Sequence, residues 1–253
     1  MLHRRGQRLA GPLIYSPPMG YLERVFRATE EENRRAILTT LEPRPGGVLL
    51  DLGCADGRVT TRIAEGAVVA RAIGVELIDH LADEARGRGI EVVGADLNGR
   101  LPFDDGAFDV IHSNQVIEHL SDTDNFLKEI RRLLKPDGYA VVSTNNLASW
   151  HNVVSLIMGW QPPPCHPSDE LIVGNPVGLM EGVGGARGQM HLRVFTGRAL
   201  AGVAGHHGLR ADIVRTVGYY PLPVPAARVL NRLDPRHGAF LVQRYRPVPV
   251  LDG

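Results

Sequence analysis

The chain has 253 residues, 43% hydrophobic and 22% charged, the balance of a globular α/β domain large enough to bury a sizeable core. Lysine plus arginine and aspartate plus glutamate number 28 each, so no net charge draws the chain to nucleic acid or an anionic membrane. Cys54 and Cys165, its two cysteines, are far apart and in no metal-ligand spacing, which argues against a disulfide framework and suits a reducing cytoplasm.

The first twenty residues carry Pro12, Pro17 and Pro18 without a clear period and read as an arm. From Tyr21 to Leu41, apolar Leu22, Val25, Phe26, Ile37, Leu38 and Leu41 recur among charges, predicting an amphipathic helix closed by Pro43 and Pro45. Strands are expected at 48–53, 72–77, 90–96, 108–114 and 139–145, with helices beginning at Arg58, spanning Asp79–Arg88 and spanning Thr123–Leu134. Strands alternating with helix-length segments imply βαβ units, hence a largely parallel sheet with right-handed crossovers. Residues 146–192 break the rhythm: a possible helix in LASWHNVVSLIMGW is followed by PPPCHP and the glycine-rich EGVGGARG, as in a lid or binding loop. Thr196 then caps a helix to about His207, and strands follow at 209–217 and 239–246. The whole chain reads as one domain: arm and helix to residue 45, a core over 46–145, a lid over 146–192, and the rest of the core over 193–253. No run is long enough to span a bilayer.

The most informative stretch is VLLDLGCADGRVT. A strand ends at Asp51, the chain turns through Gly53, Ala55 and Gly57, and a helix starts, so small residues let a ligand lie against the backbone near free helix N–H groups. A dinucleotide fingerprint would need glycines at positions 53, 55 and 58, whereas Ala55 and the bulky Arg58 occupy the last two. Nicotinamide cofactors therefore fit poorly.

The loop resembles the first motif of the class I S-adenosylmethionine-dependent methyltransferases, commonly D-x-G-x-G-x-G, with Ala55 in place of the middle glycine. Glu76 ends the second strand and Asp96 the third, in GADLNGRLPFDDGAFDVI, and LLKPDGYAVVSTNN leads into the fifth, in the order this family shows. HLRVFTGRALAGVAGHHGL is a further likeness; residues 1–20 and 146–189 take no part. The resemblance implies a Rossmann-like three-layer sandwich, a seven-strand sheet with one antiparallel strand, and S-adenosylmethionine as cofactor. On it, Asp51 holds the cofactor's ammonium group, Glu76 the ribose hydroxyls, and Asp96 the adenine amino group with Leu97 on the ring. Asn114 and Gln115, after the fourth strand, are expected to line the methionine or methyl-donor end, with strand-end capping as the alternative.

His119, in NQVIEHL, is the candidate general base, because imidazole accepts a proton near neutral pH. A local structural role carries equal weight, since methyl transfer from a sulfonium can proceed by alignment and desolvation without a base. His191 and Arg193 follow the insertion and are expected to reach the acceptor, with Tyr15, Tyr21 and Trp150 covering it; lid packing is the plainer reading for each aromatic. His151, His166, His206 and His207 show no metal-site spacing, and no metal is expected. The expected reaction is methyl transfer to an O, N or C atom of a small molecule. A macromolecular acceptor, or a non-catalytic binding protein on the same core, are the alternatives.

Overall fold

The computed structural model describes residues 20–176, 182–183 and 190–248. Its first half alternates helix and strand as far as β3, which is followed by β4 with no helix between: α1 (Tyr21–Leu38), β1 (Val48–Leu52), α2 (Arg58–Ala67), β2 (Arg71–Val75), α3 (Asp79–Gly87), β3 (Glu91–Val93) and β4 (Phe108–Asn114). A 3-10 turn (Ile117–His119), α4 (Thr123–Leu133), β5 (Leu134–Asn145), α5 (Trp150–Ile157) and a two-strand pair, β6 (Leu171–Ile172) with β7 (Gly182–Val183), come next. The chain closes with α6 (Gly197–His206), β8 (Leu209–Val217), α7 (Val224–Leu233) and β9 (Phe240–Pro247).

Seven strands form one sheet in the order β3-β2-β1-β4-β5-β9-β8. Neighbours from β3 to β5 pair in parallel, while β9 runs antiparallel to both β5 and β8. This is the Rossmann-like seven-strand sheet with one antiparallel strand that the sequence implies. Alternation along the strands sorts the core into two layers. Leu50, Ile111 and Val142 face Phe126, Leu127 and Ile130 of α4 and Leu200 of α6. Leu49, Val110 and Val141 face Ile37 of α1 and Ile63 of α2.

Helix α1 buries Val25, Thr29, Asn33 and Ile37, one stripe at four-residue spacing, so it belongs to the core layer. Two of those four positions are polar, and one of them, Asn33, lies near the C-terminal ends of β4 and β5. There the Asn33 amide donates to Asn114 Oδ1 at 2.9 Å, and the Ser143 hydroxyl donates to Asn33 Oδ1 at 2.8 Å. The Thr196 cap is present, accepting from the Ala199 N–H. Helix α7 is an addition to the predicted elements, starting beside Pro223 and Pro225 in a segment without a sequence assignment. β5 begins five residues earlier than expected, at Leu134. Asn146 and Phe195 form a bridge, and the Leu147 N–H donates to the Phe195 carbonyl at 2.8 Å, which closes the base of the insertion. Among the described residues no helix is long and apolar enough to cross a membrane.

Candidate active site

The glycine loop lies where β1 ends. Gly53 and Gly57 both have φ near +80°, and a Cβ on either would come within 2.6 Å of Val116 or Ile90. Ala55, the residue in the middle-glycine position, also adopts a positive φ of 46°. The loop thus keeps the left-handed backbone of a glycine there despite the added methyl, at a cost on the order of 1 kcal/mol.

Glu76 stands at the end of β2, opposite this loop. One carboxylate oxygen accepts the Ala55 N–H at 3.0 Å and the other the Ile78 N–H at 2.9 Å. A carboxylate has about four acceptor positions, so two remain for ribose hydroxyls. Leu77 and Ile78 beside it are 62% and 47% exposed, an apolar shelf that sequence reasoning missed. A purine laid across them removes that surface from water. Asp96 is exposed, its Oδ1 accepting from the Asn98 backbone and side chain, while Leu97 packs partly against the main core.

Asp51 is 2% exposed and held through both oxygens: its Oδ1 lies 2.7 Å from Nδ1 of His112, and Oδ2 accepts the Thr60 hydroxyl at 2.5 Å. His112 is the register partner of Asp51 on β4, and Thr60 comes from α2. In this geometry Asp51 braces two strands and a helix beneath the loop. Asn114 is tied to Asn33, and the next residue, Gln115, takes φ 57°. The Gln115 Nε2 is buried with no partner among the described residues, a donor suited to a ligand oxygen at this strand end. Acid, apolar shelf and orphaned amide together fit the adenosyl, ribose and amino-acid parts of S-adenosylmethionine.

Beyond the strand ends lies a cavity of about 450 Å³. Phe26, Thr29, His151, His166, Tyr220 and Phe240 are among the residues lining it. The aromatics expected at the acceptor are elsewhere. The Tyr21 hydroxyl donates to the Pro221 carbonyl, and the Trp150 indole donates to Asp234 at 2.8 Å beside the His237 ring. Arg193 grips the carbonyls of Leu120 and Ser121 at 2.9 and 2.8 Å, and Tyr15 lies outside the described residues. None of Tyr21, Trp150 and Arg193 lines the cavity; each is hydrogen-bonded to a residue distant in sequence instead.

His119 and His191 do come together, their ring centroids 4.9 Å apart, with His166 stacked on His191 at 4.7 Å. Burial lowers the pKa of all three, that of His191 to about 4. Glu118 is fully buried, which pushes its carboxyl up to about 7, and it accepts the Thr144 hydroxyl at 2.8 Å. Its carbonyl accepts the N–H groups of Leu192 and Arg193, pinning the end of the insertion to the turn after β4.

A methyltransferase-domain family model matches residues 50–142, from within β1 to within β5. A probable S-adenosylmethionine-dependent methyltransferase of Mycolicibacterium smegmatis is 31% identical over 183 residues, covering 70% of this chain and 67% of the relative. Two further curated relatives are matched over only 42% and 53% of their own length. Among solved structures, a Thermotoga maritima S-adenosylmethionine-dependent methyltransferase, described as a possible histamine N-methyltransferase, has a TM-score of 0.58 at 21% identity. That likeness covers 88% of this chain and 93% of the other. The [4+2]-cyclase SpnF reaches 0.57 at 18% identity, covering 87% and 81%, so the fold alone does not fix the reaction. With the family motifs in place around Glu76 and the glycine loop, this chain belongs to the S-adenosylmethionine-dependent methyltransferases.

Proposed function

We propose that the protein transfers a methyl group to an O, N or C atom of a small molecule held in the cavity between α1, the insertion and the ends of β5 and β9, and that it acts in the cytoplasm. The cavity carries this reading: about 450 Å³ lies within the range of small-molecule sites, and its wall mixes aromatic and apolar surface with a few polar groups. Phe26, Tyr220 and Phe240 supply flat apolar surface, while Asn145, His151 and Asn175 offer orienting hydrogen bonds. When bound, S-adenosylmethionine supplies an electrophilic methyl group on a positively charged sulfur. The chain's own task is to hold the acceptor in line with that methyl and keep water out, and alignment of this kind supplies much of the barrier lowering in such displacements.

Labelled S-adenosylmethionine offered with small hydroxyl- and amine-bearing molecules, and separately with RNA and protein, tests this reading. Label is expected in a small molecule, and Phe26→Ala should raise the KM of that acceptor about fivefold to tenfold with the affinity for S-adenosylhomocysteine unchanged. Label found only in RNA or protein would remove the small-molecule reading.

A further inference from the structure

Glu118, His119 and His191 each present one ligand atom, and these atoms all lie within 4.8 Å of one another. Each imidazole is held in a defined tautomer. Nδ1 of His119 lies 3.2 Å from the Met190 carbonyl and Nδ1 of His191 lies 3.0 Å from the Pro164 carbonyl. A carbonyl only accepts, so Nδ1 carries the proton in both rings and Nε2 is left with its lone pair. Backbone carbonyls orient metal-binding histidines in this way.

His166 completes the support. Its Nδ1 accepts the backbone N–H of His191 at 3.0 Å while its ring stacks on the His191 ring. Glu118 brings a buried carboxyl with which none of the described cationic side chains pairs. A buried carboxylate without a positive partner is costly, and a bound cation removes that cost.

We propose that Glu118, His119 and His191 form a binding site for one divalent first-row transition ion, such as Mn2+, Co2+ or Zn2+. Two imidazoles and one carboxylate favour these ions over Mg2+ and Ca2+, which prefer oxygen donors. Donor–metal distances of about 2.1 Å place donors about 4 Å apart at most, so small side-chain rotations close the set. Three protein ligands leave coordination positions open. The cluster adjoins the acceptor cavity through Asn145, whose amide lies 3.4 Å from Glu118 Oε1, and through His166. There the ion would hold an oxygen-bearing acceptor and favour its deprotonated form. In this account His119 is a ligand rather than a free general base. The ion's role rests on the methyl-transfer reading, whereas the site does not.

Protein stripped with EDTA and dialysed is titrated with CoCl2, followed by visible absorption, and with ZnCl2, followed by calorimetry, both without S-adenosylmethionine. One ion per chain is expected, with visible cobalt bands of a nitrogen–oxygen site. Glu118→Gln and His191→Asn should each weaken binding by at least about tenfold, and His206→Ala, on the surface of α6, should leave it unchanged. Thermal melts and S-adenosylhomocysteine binding report whether the variants remain folded. Absence of saturable binding by the wild type, or equal binding by wild type and both folded ligand variants, overturns the site. Metal bound at this site by a protein without methyl transfer would leave the site standing and remove only its role.

Discussion

The two sides of the site are built by opposite means. The proposed cofactor side is local: β1, the glycine loop, the start of α2 and Glu76 lie within 29 residues, and backbone geometry fixes them. Gly53 and Gly57 have no room for a Cβ, and Glu76 ties the loop down through two backbone N–H groups. The wall of the proposed acceptor cavity is assembled from distant segments. Phe26 from α1, His151 from α5, His166 from the insertion and Tyr220 from the segment after β8 meet only when the sheet forms. On the proposed reading, a preformed cofactor cradle beside a wall built by tertiary contacts would let acceptor preference vary without disturbing cofactor binding.

Substitutions on the cofactor side should therefore strike stability or cofactor affinity and spare the acceptor. The largest effect is expected at Gly57→Val. Its φ of 78° and a Cβ position 2.6 Å from the Ile90 side chain and 3.0 Å from the Ala85 backbone combine strain with overpacking. A loss of about 2–5 kcal/mol should appear in chemical denaturation. Next, Glu76→Ala should weaken S-adenosylhomocysteine binding about tenfold to hundredfold by calorimetry, the worth of charge-assisted hydrogen bonds. Unchanged affinity would remove the ribose assignment.

A milder effect concerns the other wall. His151 is enclosed enough for its pKa to fall to about 4, while an unfolded histidine titrates near 6.5. Below pH 6.5 the unfolded chain gains a proton that the folded one does not hold. The stability contributed by neutral His151 is thus present above about pH 6.5 and lost as the pH falls to about 4. His151→Gln should flatten the stability profile in that window, measured by thermal melts from pH 4 to 7. The smallest effect is expected at Ala55→Gly, which relieves the left-handed strain against a larger backbone entropy loss. Stability should rise by at most about 1 kcal/mol, with cofactor affinity equal or tighter.

The same contrast explains what could be read from the chain. Asp51, Gly53, Gly57 and Glu76 announce themselves because a strand end, a tight turn and a helix start are local events with sequence signatures. The positive φ of Ala55 carries no such mark, since alanine seldom adopts it. Asp51 was legible as a strand-end acid, but its capture by His112 and Thr60 depends on a neighbouring strand and a helix. Tyr21, Trp150 and Arg193 looked like acceptor contacts by type, yet Pro221, Asp234 and the turn after β4 claim them. Glu118 and His191 are 73 positions apart, so no spacing rule joins them. Leu77 and Ile78 could have been noticed as apolar residues directly after the acidic strand end, where a strand no longer buries them.

The most direct test of the cofactor assignment is calorimetric titration of the purified protein with S-adenosylmethionine, S-adenosylhomocysteine and NAD. Binding of the two sulfur ligands at one site per chain, with no heat from NAD, is the expected result. Binding of NAD with neither sulfur ligand bound would contradict it.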